Sequence, residues 1–86
     1  MVFHGITKEM AKEFCRDYLE TLKAQNKRNC FNTVANIART MRITTNKAMD
    51  FIIVAKANGF MCDDNNPTDT IYRLTLYKVM ESHLES

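Results

Sequence analysis

The side chains that could do chemistry are few and widely spaced. His4 and His83 lie near opposite ends of the chain, and neither has a partner at ligand or catalytic spacing. The three cysteines, Cys15, Cys30 and Cys62, are an odd number without the close pairs of a zinc site or a disulfide framework. We therefore expect no enzyme activity and no cofactor, with the three cysteines reduced in the cytoplasm and packed as small apolar side chains.

Two further patterns could bind ions, and neither is complete. Asp63 and Asn65 could start a calcium loop, but Pro67 stands where a third oxygen ligand is needed, and neither the turn glycine nor the distal glutamate follows. The glycines Gly5 and Gly59 are explained by helix boundaries rather than by a phosphate-binding loop. We expect no metal site in this chain.

The charge of the chain is unevenly distributed. There are 12 basic and 10 acidic residues, which gives a net charge of +2. Residues 30–62 carry four basic residues and one acidic residue, whereas residues 63–86 carry two basic and five acidic residues, so these two segments have net charges of +3 and −3. The middle third is therefore the segment suited to an anionic partner, and the tail is acidic.

Length and composition indicate one small globular domain. The chain has 86 residues, of which 45% are hydrophobic and 26% are charged, as in ordinary globular proteins. No run approaches the roughly 18 apolar residues of a membrane span, and the first residues do not resemble a secretory leader. We expect a cytoplasmic protein that does not enter membranes.

Hydrophobic periodicity predicts three helices. The first has apolar residues recurring mostly every four positions, and the third ends at Asn58-Gly59, a strong helix stop. Threonine or asparagine precedes each helix as a candidate N-cap: Thr7, then Asn32 or Thr33, then Thr44. The predicted ranges are 7–26, 33–41 and 45–58.

A two-stranded hairpin is predicted after the third helix. The segment 60–62 is apolar, and 70–77 alternates apolar and polar residues with the period of a half-buried strand. The intervening segment 63–69 is rich in Asp and Asn and contains the single proline. The hairpin spans 60–77, and residues 78–86 form either a short packed helix or a frayed tail.

This order of elements resembles the winged helix-turn-helix domain of small bacterial and phage transcriptional regulators, over residues 7–77. The residues that carry the resemblance are Thr33-Val34, Ile37-Ala38, Met41, Ile43-Thr44, Ala48, Ile52, Asn58-Gly59-Phe60 and Tyr72-Arg73-Leu74-Thr75. One departure is Arg42, where many relatives have glycine; we expect it to adopt the left-handed conformation or to shift the turn. The expected fold is α+β, mostly α, with a single domain over 1–86 that has three helices and a two-stranded wing.

The resemblance implies a sequence-specific transcriptional regulator whose third helix enters the major groove of double-stranded DNA. The residues placed to contact base edges are Thr45, Asn46, Met49, Asp50 and Ile53. Those placed to contact phosphates are Arg39, Arg42, Lys47, Lys56 and Arg73. The first helix, through Leu19 and Leu22, could pair with its copy in a homodimer on a palindromic site.

A second interpretation is a protein-interaction module, such as an inhibitor or co-regulator of a host protein from a phage or plasmid. The face of the third helix is weakly basic, Asp50 would repel phosphate, and the expected wing tip is acidic. The residues of this alternative interface are Met49, Ile53, Val54, Asp63 and Asp64. Burial of Met49, Ile53 and Val54 against another helix is the structural explanation that competes with an interface. RNA binding is a third interpretation, and it is disfavoured because the sequence offers no aromatic platform on which bases could stack.

Overall fold

The three predicted helices are present. The structure is a computed structural model that describes residues 3–27, 33–61, 78 and 80–82. Helix α1 spans Lys8–Ala24, α2 spans Val34–Met41 and α3 spans Thr45–Ala57. These bounds agree with the ranges expected from hydrophobic periodicity to within two residues at each end.

Each helix begins at a threonine N-cap. The threonine hydroxyl oxygen accepts a hydrogen bond from the backbone N–H three residues later, which satisfies one of the free donors of the first turn. The pairs are Thr7 with Met10 at 3.1 Å, Thr33 with Asn36 at 3.2 Å, and Thr44 with Lys47 at 3.2 Å. The predicted N-caps Thr7 and Thr44 are therefore confirmed. For α2, where two residues were candidates, the N-cap is Thr33.

Each helix also ends with a residue in the left-handed conformation. These residues are Asn26 (φ 57°), Arg42 (φ 57°) and Gly59 (φ 75°). After α2, the N–H of Arg42 donates to the carbonyl of Arg39, and the N–H of Ile43 donates to that of Ala38. This pair of bonds is the Schellman motif, and the corresponding bonds follow α1 and α3. The left-handed conformation expected of Arg42 is confirmed.

The core lies where the three helices meet, because each helix packs against the other two. Tyr18 of α1, Ile37 of α2 and Val54 of α3 are completely buried. Met80 is also completely buried, and the backbone at 78 and 80–82 is helical. This agrees with a packed helix near the end of the chain, although the other residues expected there, Tyr77 and Leu84, lie outside the described part.

The predicted α+β fold with a two-stranded wing is wrong. The regular structure of the described residues consists of helices, and the protein is a mostly-α small domain. Phe60 was expected to start a strand, but Gly59 reverses the chain and the N–H of Phe60 donates to the carbonyl of Ala55 at 2.9 Å. Phe60 and Met61 form a bend and are buried in the core, and the rest of the expected wing, 62–77, lies outside the described residues.

A tight turn precedes α1. The backbones of Phe3 and Ile6 exchange two hydrogen bonds, at 3.0 and 2.9 Å, across His4 and Gly5. Both central residues have positive φ, 49° and 83°, as the tightest hairpin turns require. Ile6 is completely buried beneath this turn, which fixes His4 at the surface beside the helices.

Candidate functional site

The helices α2 and α3 form a helix-turn-helix unit. Three residues, 42–44, connect them, and the Schellman motif at Arg42 and the cap at Thr44 account for the geometry of the turn. Ile37 and Ala38 of α2 and Ala48 and Ile52 of α3 are buried. The unit therefore presents a fixed outer face of α3 to solvent.

That outer face contains four of the five residues expected to contact base edges. Thr45 and Asn46 are exposed at the start of α3 and can donate and accept hydrogen bonds. Met49 is 47% exposed and Ile53 is 41% exposed, one helical turn apart. The face thus combines polar groups at its N-terminal end with an apolar strip along its length.

The four cations of the unit lie at the surface. Arg39, Arg42, Lys47 and Lys56 are all exposed. A guanidinium nitrogen of Arg39 donates to the side-chain oxygen of Asn36 at 2.9 Å, and Lys47 Nζ lies 5.6 Å from the centre of the Phe51 ring. These contacts leave both side chains at the surface, where they can meet an anionic partner.

Asp50, the fifth residue expected to contact bases, faces the N-terminal turn. His4 Nδ1 lies 3.1 Å from Asp50 Oδ1, with the imidazole as donor. The side chain of Asp50 is 26% exposed and that of His4 is 67% exposed. Sequence reasoning assigned no partner to His4, because the two residues are 46 positions apart and no local pattern links them.

Three apolar residues expected at interfaces belong instead to the core. Val54 is completely buried, so it cannot belong to the alternative protein interface. Leu19 and Leu22 are 6% and 4% exposed, so the homodimer surface expected on α1 is not available through them. Their burial against the other helices is the structural reason for both corrections. The other expected site residues, Arg73, Asp63 and Asp64, lie outside the described residues, as do Cys30, Cys62 and His83, to which no site was assigned.

A second surface feature, not anticipated from the sequence, is a groove between α1 and α3. Its volume is about 410 Å³, and it is lined by Glu9, Met10, Glu13, Phe14, Asp17 and Phe51. The rings of Phe14 and Phe51 are stacked, 4.3 Å apart at an interplanar angle of 7°. Because the two aromatics are 37 positions apart on different helices, only the tertiary structure brings them together.

Cys15 is the one free cysteine that the structure describes, and it is completely buried on α1. Burial raises the pKa of its thiol from 9.0 to about 12, because desolvation disfavours the thiolate. The reactive form is therefore suppressed in the folded protein. This agrees with the expectation that the cysteine acts as a small apolar side chain.

Within the described ranges, His, Cys, Asp and Glu do not form a group of three that could hold a metal ion. None of the helices in that part of the chain has the length and apolar character needed to cross a bilayer.

No known protein family matches this chain, and neither a curated protein nor a solved structure is significantly similar to it.

Proposed function

We propose that this protein is a small cytoplasmic DNA-binding regulator that places the outer face of α3 in the major groove. The observation that carries the proposal is the helix-turn-helix unit, which has exposed polar groups at the start of α3 and four exposed cations. An α-helix fits the major groove, which is about 12 Å wide. The 13 residues of α3 extend about 20 Å, enough to follow several base pairs.

The roles of individual residues follow from their chemistry. Asn46 can form two hydrogen bonds with adenine, Thr45 can bond to a base or a phosphate, and Met49 can contact a thymine methyl group. The exposed cations Arg39, Arg42, Lys47 and Lys56 supply the phosphate contacts that dominate affinity. The contact between His4 and Asp50 supports the proposal, since it turns the acidic group of α3 toward the N-terminal turn.

The test is binding to a labelled random-sequence duplex pool at 50 and 200 mM salt. Affinity should be micromolar or tighter at low salt and should fall steeply as salt rises, because phosphate contacts release counterions. Sequences selected from the pool then provide a specific duplex. Replacing Asn46 and Lys47 by alanine should weaken binding to that duplex by about tenfold or more.

The matched control is Lys23→Ala, which removes one positive charge from the exposed last turn of α1 at a residue not assigned to DNA. It should change affinity by less than about twofold, since it removes no assigned phosphate contact and salt weakens the long-range effect of an exposed charge. Failure to bind DNA at low salt would reject the proposal. Equal losses in both variants would show that α3 is not the contacting element.

A second candidate function, a protein-interaction module, is favoured by the exposure of Met49 and Ile53. Two large apolar side chains at one-turn spacing, each more than two-fifths exposed, are typical of a helix that docks on a protein. This candidate replaces the first if the duplex pool is not bound. Met49→Ser and Ile53→Ser should then abolish capture of the protein partner, whereas Lys23→Ala should leave it intact.

A further inference from the structure

The groove between α1 and α3 has an apolar floor that is partly open to solvent. Phe14 is 8% exposed and stacks on Phe51, which is partly buried, while Met10 beside them is 41% exposed. A volume of about 410 Å³ is enough for the apolar side chains of a docking helix. The α3 residue that lines this groove is Phe51, which is not among the residues assigned to DNA.

The α1 edge of the groove is acidic. Glu9, Glu13 and Asp17 are exposed and follow one another at four-residue spacing. Their positions advance about 6 Å each along the helix axis, so the row extends about 12 Å. The neighbouring cation Lys12 lies 5.8 Å from the centre of the Phe60 ring, which is not part of the groove.

The opposite edge of the groove is formed by α3 and differs in charge. Lys47 Nζ lies 5.6 Å from the centre of the Phe51 ring, on the α3 side. The groove therefore has three carboxylates on its α1 edge, and the ammonium group of Lys47 lies near its Phe51 ring. If a ligand has basic side chains, they are attracted to the carboxylates on the α1 edge.

The row of carboxylates also indicates which partners do not fit. Nucleic acid would bring phosphates against three acidic side chains, which is unfavourable. A second copy related by two-fold symmetry would place the same surface opposite itself, so the acidic rows would repel each other. Charge complementarity instead favours a different, basic chain.

We propose that the groove binds a basic amphipathic helix of a partner protein. Apolar side chains of that helix pack on Met10 and the stacked rings, and Lys or Arg residues at four-residue spacing pair with Glu9, Glu13 and Asp17. This mode is the insertion of an amphipathic helix into a hydrophobic groove. The inference goes beyond the proposed DNA-binding function and does not depend on it.

The test uses the full chain and two synthetic peptides of roughly 18 residues, long enough to form a helix. One peptide has leucine along one face and lysine along both flanks, and the other has glutamate in place of every lysine. Fluorescence anisotropy at 150 mM salt should detect binding of the lysine peptide, with at least about tenfold weaker binding of the glutamate peptide.

Two pairs of variants locate the binding surface. Glu13→Lys should weaken binding of the lysine peptide by at least about tenfold, whereas Glu20→Lys, the same charge change on α1 outside the groove, should cost less than about threefold. Met10→Ser should likewise weaken binding, whereas Met49→Ser, on the outer face of α3, should not. Far-UV circular dichroism and thermal melts establish that each variant is folded.

Three results would overturn the proposal: equal binding of the two peptides, binding of neither, or equal losses in the groove variants and their controls. Sedimentation gives a fourth result, a dimer that Met10→Ser dissociates, which would assign the groove to a second copy of this chain. Selective loss in Glu13→Lys and Met10→Ser would support the proposal whether or not the protein binds DNA.

Discussion

Asp50 is the residue of α3 whose charge opposes a DNA partner, and His4 lies against it. The imidazole of His4 is 3.1 Å from the carboxylate and stacks on the ring of Phe3, with 4.1 Å between ring centres. A turn held by two backbone hydrogen bonds positions the histidine. A residue that is remote in the sequence thus modifies the electrostatics of the proposed DNA-binding helix.

Neutralising this carboxylate tests its role. We expect Asp50→Asn to strengthen binding to random-sequence duplex about twofold, since a unit charge about 10 Å from a phosphate is worth ~0.4 kcal/mol in water. The anisotropy titration at 50 mM salt measures this change. Glu20→Gln, which removes the same charge from the exposed surface of α1, should have a smaller effect. Weaker binding of Asp50→Asn to the selected duplex would instead indicate that the carboxylate accepts a hydrogen bond from cytosine, as the sequence resemblance implied.

Cys15 makes stability depend on pH in the alkaline range. The unfolded chain releases the thiol proton above pH 9.0, whereas the folded protein holds it until about pH 12. The folded state therefore binds more protons in this window, so this residue's contribution to stability is lost as pH rises above 9.0. Through this residue, the free energy of unfolding falls by up to about 1.4 kcal/mol for each pH unit in this window.

Urea unfolding at pH 8.0 and pH 10.5 measures this dependence. The free energy of unfolding of the natural protein should fall by ~2 kcal/mol more than that of Cys15→Ala, which has no thiol at this position. Other titrating groups are present in both proteins and cancel in the difference. Parallel loss of stability in the two proteins would contradict the burial of Cys15.

Among the elements, the turn between α2 and α3 is the part of the proposed DNA-binding unit that is under backbone strain. Arg42 adopts φ 57°, a conformation that costs an ordinary L-residue roughly 1–2 kcal/mol. Glycine avoids that cost but loses more entropy on folding. Arg42→Gly should therefore stabilise the protein by about 0.5–1 kcal/mol and raise Tm by about 4 °C.

Thermal melts of Arg42→Gly and Asn26→Gly give the comparison. Asn26 has the same φ of 57°, but asparagine tolerates the left-handed region better, so the gain at this position should be smaller. Arg42→Gly should also make the slope of log affinity for DNA against log salt concentration shallower, by about the amount that one phosphate contact contributes. If the variant is more stable but its salt dependence is unchanged, Arg42 does not contact phosphate, and the strain at the turn is still supported.

The helices could be predicted because their signals are local. Thr7 and Thr44 mark helix starts, Gly59 marks a helix end, and apolar spacing locates the buried faces. The segment after Gly59 was predicted wrongly, because an apolar pair at Phe60-Met61 is typical of a strand and equally of a chain that folds back on a core. Local alternation does not distinguish these outcomes, which depend on whether the neighbouring helices provide a surface that buries Phe60.

At the scale of the whole molecule, two surfaces of opposite character lie on the same three-helix body. The outer face of α3 has polar groups at its start and an apolar strip along its length, and it belongs to a unit with four exposed cations, whereas the groove beside α1 is apolar with an acidic edge. Residues of the first surface could be predicted from the sequence, whereas the groove could not. Thr45 and Asn46 follow from a helix start, but the groove needs Phe14 and Phe51, whose contact no local pattern encodes.

These surfaces share α3 without sharing the residues assigned to base edges. A saturating concentration of the lysine peptide should therefore leave the affinity for the selected duplex no weaker than in its absence. Anisotropy of the labelled duplex, measured with and without peptide, checks this expectation. The controls are the glutamate peptide and the lysine peptide added to the duplex alone, because lysine side chains also bind phosphates directly. Competition between the lysine peptide and DNA would show that the two surfaces overlap.

The end of α3 has a consequence for the chemical ageing of the protein. Asn58-Gly59 is a sequence prone to deamidation. In this reaction the backbone nitrogen of the glycine attacks the side-chain carbonyl carbon of the asparagine and expels ammonia, and water then opens the resulting succinimide to aspartate or isoaspartate. In the folded protein that nitrogen donates to the carbonyl of Lys56 at 3.2 Å, and the side-chain amide of Asn58 donates to the carbonyl of Val54 at 2.8 Å. Both reacting groups are thus engaged in the helix terminus, and attack requires that this terminus open. Aspartate that accumulates at position 58 in a stored sample is therefore a record of the time the end of α3 has spent unwound.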